Sequence, residues 1–189
     1  MLSNDTQGAV FGAIVGPLFA FYFVVFLHLG TRRCWTSPCT VSPDSAWGSQ
    51  QAKNFVMVAE DLQLTPKYVM RDNDTKFTAQ FDEVIKTSGA EVKRNTPLSP
   101  NLLAQVERFI QTLKVECLDK FVIVAERHLN YITREWRLHY NAERPHEARR
   151  HLPPGCESPP TAQETIRLKD IVCETRLGGM LKSYSRRAA

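Results

Sequence analysis

Two carboxylates with 34 residues between them stand out as groups able to do chemistry together. Asp72 follows Tyr68-Val69-Met70, a short apolar run that reads as a strand, and Glu107 sits in a helical pattern from Asn101 to Lys120. One carboxylate at a strand end and another on a helix face is a common way to hold divalent cations for phosphoryl transfer. The residue types alone admit three readings. They are solvated surface acids, a two-metal phosphoryl-transfer site, or the acid and base of a hydrolase acting on sugars, which needs a defined carboxylate separation. The chain has no G-x-S-x-G, Walker loop or H-E-x-x-H.

The helix carrying Glu107 is expected to open with Ser99 as cap and Pro100 at its first position. Leu103, Val106, Ile110, Leu113 and Cys117 recur every three or four residues and form one apolar stripe. Glu107 falls about 40° and Lys114 about 20° from Leu103 on the helical wheel, both on the edge of that stripe and two turns apart. A lysine so placed can reach a phosphate beside a metal held by the acid. Arg108 points away. Asp74 competes with Asp72 for the metal role but falls past the strand end.

The elements that must position these groups follow from composition and pattern. The 189 residues suffice for one well-formed core. A hydrophobic share of 43% and a charged share of 23% are those of a globular protein. The net charge of +4 has its basic residues clustered at Arg144–Arg150 and Arg176–Arg187, which is compatible with nucleic acid. Five cysteines without a C-x-x-C pair fit a reduced cytosolic compartment better than a disulfide framework or a zinc site.

Residues 8–30 hold no Asp, Glu, Lys or Arg, enough for a membrane span. Gly8, Gly12, Gly16 and Pro17 interrupt the run, and the aromatic and β-branched stretch Phe19–Leu29 reads instead as a strand buried on both faces. Two buried strands joined at Gly16-Pro17 are therefore expected, with a membrane span as the alternative. An edge strand interrupted by Pro38 follows. A helix starting at Ser42-Pro43-Asp44 and reaching about Leu62 comes next. A helix over Ala79–Ser88 closed by Gly89, a strand at Glu91–Arg94, and a helix from about Ala125 to Tyr140 complete the core.

Asp72-Asn73-Asp74-Thr75-Lys76-Phe77, Ser99-Pro100-Asn101, Glu107-Arg108-Phe109 with Lys114, Glu116-Cys117-Leu118-Asp119, Tyr140-Asn141 and Arg144-Pro145-His146 together resemble the integrase core of insertion-sequence transposases and retroviral integrases. The resemblance implies a ribonuclease-H-like α/β fold: a mixed five-stranded sheet, its first three strands antiparallel, flanked by helices. It implies an Asp-Asp-Glu triad binding two Mg²⁺ or Mn²⁺ ions for DNA strand cleavage and transfer. Asp72 matches the second acid and Glu107 the third. Asp5, 67 positions before Asp72, is the candidate for the first, although Asn4-Asp5-Thr6-Gln7 is poor strand sequence. Lys114 matches a basic position that contacts DNA; Arg108, Asn101, Arg144 and His146 join it as candidate DNA contacts.

On the same resemblance the chain is expected to be a polynucleotidyl transferase of DNA integration and transposition, working as a homo-oligomer on DNA in the bacterial cytosol or nucleoid. Residues 1–152 would be the catalytic core and 153–189 a proline-rich linker and basic tail. No helix-turn-helix region precedes the core, so the chain reads as a truncated product, and a catalytically inactive DNA-binding remnant is the alternative.

Overall fold

The computed structural model describes residues 6–15 (backbone only), 20–94, 104–159 and 167–186. Strands β1 (Thr6–Val15), β2 (Ala20–His28), β3 (Cys34–Thr36), β4 (Tyr68–Arg71) and β5 (Glu91–Arg94) form one sheet in the order β3-β2-β1-β4-β5. β1 and β2 pair antiparallel from Gln7 opposite His28 to Val15 opposite Ala20. β2 and β3 are also antiparallel, whereas β4 runs parallel to both β1 and β5. Residues 8–30 are thus mostly a long hairpin, and no helix among the described residues is long and apolar enough to cross a membrane.

β2 explains why its sequence shows no alternation. Phe21, Phe23, Val25 and Leu27 face a core built with the helices α3 (Ala104–Glu116) and α4 (Glu126–Ala142). Val24 and Phe26 face a second core with α1 (Ser45–Asp61) and α2 (Ala79–Lys86). A strand covered by helices on both sides buries every residue, so apolar side chains run without a break. Phe26 stacks on Phe55 of α1 with ring centroids 3.8 Å apart, locking that helix to the sheet.

The expected cap at Ser42 moves two residues on. Asp44 is extended and accepts a hydrogen bond from the Trp47 N–H, so the acid placed in the first turn is itself the cap. α2 is closed as anticipated, with Gly89 in the left-handed region at φ +81°. β3 is an edge strand that ends before Pro38, and Thr40 then bridges back to Tyr22. Asn141, at the end of α4, bonds both backbone groups of Cys34: its Oδ1 accepts from the N–H at 3.0 Å and its Nδ2 donates to the carbonyl at 2.9 Å. Asn141 therefore secures the sheet edge to α4.

The last described segment forms a hairpin, β6 (Ile171–Arg176) with β7 (Leu181–Arg186). Leu181 joins the core shared by α3 and α4, and Arg176 forms ion pairs with Glu135 of α4 and with Glu143, which caps that helix.

Candidate functional site

Asp72 is the first residue beyond β4, at the carboxyl end of the parallel strands, where ligands bind in open α/β sheets. Its carboxyl is half-buried and pushed above the ordinary carboxylate value, first by burial and then by the neighbouring Asp74 charge, against the Asp74 N–H that bonds it. That N–H donates to Asp72 Oδ1 at 3.1 Å, the Asx turn that the Asp-Asn-Asp run favours. Asp74 is engaged elsewhere: Lys76 Nζ lies 3.1 Å from its Oδ2, and the Lys76 N–H donates to its Oδ1 at 2.9 Å. Asp72 has no ion pair among the described residues. Of the two competitors, it is the carboxylate left open to a cation.

A buried ion pair fixes the backbone at this point. Arg71, 2% exposed, donates from Nε and Nη2 to the two oxygens of Asp82 on α2 at 2.7 and 2.8 Å. Its Nη1 donates to the Asp72 carbonyl at 3.0 Å. Arg94 of β5 adds a third bond to Asp82 at 3.3 Å. Neither Arg71 nor Asp82 was distinguishable in the sequence, because only the packing of α2 under the sheet brings the pair together.

Glu107 lies in the first turn of α3, exposed. Val106, Phe109 and Leu113 form the buried face of the helix, with Cys117 beyond its end; Phe109, absent from the expected stripe, meets Trp136 and Tyr140 edge-on. Around an ideal helix Glu107 and Lys114 lie about 100° and 80° to one side of Val106. Gln105, Thr112 and Glu116 lie about 100°, 120° and 80° to the other, with Arg108 beyond them at about 160°. Lys114 thus shares the flank of Glu107, while Arg108 belongs to the opposite one.

On that opposite flank Arg108, Arg144 and His146 come together with Arg32 from the β2–β3 connection in a cavity of about 320 Å³. The sequence named three of these four; Arg32 joins them only through the fold. Asn101 and Asp5 lie outside the described residues. Ala9 stands opposite Arg71, so Val10 comes abreast of Asp72, and Thr6 pairs with Tyr68 about 13 Å further down the strand. Thr6–Val15 contains no acid.

Among the described residues no three His, Cys, Asp or Glu side chains are grouped to hold a metal ion. The carboxylate that the described residues leave open to a cation is that of Asp72. Asp72 is half-buried, unpaired and disfavoured as an anion, a condition that a cation relieves. Hard oxygen ligands of this kind suit Mg²⁺ or Mn²⁺ with water completing the shell.

Comparison with known proteins agrees with this architecture. Residues 88–154 match the integrase core domain family. Over 91 residues, 48% of the chain, it is 30% identical to an uncharacterized 31.7 kDa protein of insertion element IS407 from Burkholderia multivorans. Over the same length it is 30% identical to an uncharacterized 39.2 kDa protein of insertion element IS476 from Xanthomonas euvesicatoria. These matches span 33% and 26% of those two relatives. Among solved structures, the HTLV-2 integrase catalytic core domain in complex with magnesium, in its dimeric form, superposes with a TM-score of 0.56 at 15% identity, covering 75% of this chain and 88% of that one. A simian T-cell lymphotropic virus intasome in complex with the PP2A regulatory subunit B56 gamma gives 0.64 at 13% identity, covering 97% and 66%. The likeness shows a ribonuclease-H-like α/β fold, and the integrase-core resemblance holds.

Proposed function

We propose that the chain is the catalytic core of a DNA-integrating transposase, cleaving and transferring DNA strands with Mg²⁺ or Mn²⁺ held by Asp72 and Glu107. The mixed sheet with three antiparallel strands is then its ribonuclease-H-like scaffold. The observation that carries the reading is the Asp72 carboxylate, half-buried at the carboxyl end of β4 and without an ion pair among the described residues, on a backbone clamped by Arg71 and Asp82. Insertion-element relatives and integrase neighbours point to the same chemistry.

The bound metals supply the Lewis acidity that activates a hydroxyl nucleophile and stabilises the leaving oxygen. The chain's own residues do the positioning. Asp72 and Glu107 orient the cations, and Lys114, seven residues after Glu107 on the same flank, pairs with the phosphate of the strand to be cut. Asp5 is the candidate for the third acid, and water fills the coordination shell where no carboxylate does.

Residues 1–152 form the catalytic core in this reading, with 153–189 a linker and basic tail. The protein works as a homo-oligomer on DNA in the cytosol, where its five unpaired cysteines stay reduced. One observation favours a second reading, an inactive DNA-binding remnant: the β1 register sets Val10, not an acid, beside Asp72.

A nicking assay on supercoiled DNA with Mn²⁺ separates the two. The first reading expects nicking by the wild type and its loss in Glu107→Gln. A wild type that binds DNA without nicking it belongs to the second. Nicking that survives Glu107→Gln removes Glu107 from the site.

A further inference from the structure

The cavity on the far flank of α3 gathers three guanidiniums, of which ion pairs among the described residues neutralise one. Arg32, half-buried, donates to Gln105 Oε1 and forms no ion pair among the described residues. Burial and the nearby Arg108 guanidinium both weaken its hold on its proton. Arg108 likewise has no ion pair among the described residues. Arg144 alone is matched, by a two-point pair with Glu116 at 2.6 and 3.0 Å. Glu147 stands on the lining as the remaining acid. Beneath them the His146 ring meets Tyr140 edge-on at 4.6 Å, and its buried Nε2 has no hydrogen-bond partner.

Two guanidiniums without an ion pair among the described residues line one cavity, an arrangement that a tetrahedral anion completes. A planar guanidinium gives two parallel N–H donors to adjacent phosphate oxygens, and the pair here supplies two such forks. Carboxylate and chloride satisfy fewer of these donors. The cavity is also separate from the flank of Glu107 and Lys114, since the body of α3 stands between them.

We propose that Arg32 and Arg108, with His146 on the wall between them and Tyr140, form a phosphate-binding pocket, a second anion site on the opposite side of α3 from the metal-binding candidates. Its ligand is a phosphoryl group. That group comes either from a DNA backbone held away from the cutting point, which rests on the function proposed above, or from free phosphate or a small phosphate ester, which does not.

The test is a metal-free titration of the full chain, followed at the His146 ring C–H signal by NMR. Inorganic phosphate is added at constant ionic strength in one arm and a short blunt duplex in the other. Phosphate is expected to move the signal saturably, with binding weakened about tenfold or more in Arg32→Gln and Arg108→Gln. Lys53→Gln, exposed on α1 across the sheet, is expected to bind phosphate as the wild type does. Arg108 is exposed and unpaired, so its variant reports on binding even if Arg32→Gln fails to fold.

A duplex that moves the same signal, with a salt slope that falls by about one in Arg108→Gln, identifies the DNA backbone as the source. A response to phosphate alone identifies the small ligand. The proposal is overturned if neither ligand moves the signal, if Arg108→Gln binds phosphate like the wild type, or if Lys53→Gln weakens binding equally. None of these readouts involves metal or nicking, so a failed strand-transfer assay leaves the pocket untouched, and the reverse also holds.

Discussion

The Arg71 guanidinium lies 2.7 Å from Asp82 and joins helix α2 to the strand end that carries the candidate metal ligand. Its remaining nitrogen bonds the carbonyl of Asp72, so the position of that residue depends on a helix it never touches directly. Asp82→Ala leaves a buried guanidinium without its carboxylate and should destabilise the fold by about 3–5 kcal/mol. Urea denaturation measures this; an unchanged midpoint means the pair does not hold β4. Arg71 and Arg94 keep the Asp82 carboxyl below its ordinary value even though burial opposes them. That stability is present above the unfolded pKa of about 4 and is lost as the pH falls through the lower folded value.

Asp72 has the opposite sign. Its folded carboxyl sits above the unfolded value, chiefly through burial, so the native state holds its proton more tightly and becomes less favoured as the pH rises through that range. Without metal, Asp72→Asn should therefore melt at or above the wild type at pH 7, since its Oδ1 still accepts from the Asp74 N–H. The same change should cut Mn²⁺-dependent nicking by about a hundredfold or more, the several kcal/mol that metal stabilisation supplies. A variant that melts well below the wild type contradicts the assignment of burial strain to this carboxylate.

His146 should make stability fall in mild acid. Burial, then Arg144, Arg32 and Arg149, lower its pKa to about 4 from an ordinary value of 6.5. The unfolded chain binds the proton first, so stability is full above about pH 6.5 and declines as the pH drops towards 4. Melting curves of the wild type and His146→Gln across that window should converge at low pH. A parallel pair of curves removes His146 as the cause.

Arg176 anchors the C-terminal hairpin. Its Nη1 lies 3.1 Å from Glu135 and its Nη2 lies 2.9 Å from Glu143. Burial alone would raise the Glu143 carboxyl; bonds from His139, Ser183 and Arg176 instead bring it down to about 2. Arg176→Ala removes charge-assisted bonds worth about 1.5–3 kcal/mol each when buried and less here, where the arginine is partly exposed. Amide exchange in β6 and β7 should accelerate while that of β2 stays protected. Equal protection of the hairpin in both proteins shows that the apolar contacts of Leu177, Met180 and Leu181 hold it without Arg176.

Local chemistry explains what was legible beforehand. The continuous apolar run from Phe19 to Leu29 could only be a strand covered on both faces or a membrane span, and its glycine and proline breaks favoured the strand. The polar Asp72–Asp74 turn after an apolar run marked a strand end. The three-and-four spacing from Val106 to Cys117 placed Glu107 and Lys114 on one flank of a helix. These are properties of neighbours in the chain, and periodicity reports them.

The pairings that decide function join residues far apart in sequence, and periodicity carries no information about them. Packing α2 beneath the sheet chose Asp82 as the partner of Arg71. Asn141 became a clamp on Cys34 only when α4 lay along the sheet edge. Arg32 met Arg108 and His146 because a strand connection, a helix and a loop converge on one side of α3. The parallel pairing of β1 with β4, between residues more than 60 positions apart, placed Val10 beside Asp72. The sequence by itself determined which groups could do chemistry; tertiary packing decided which of them stand together.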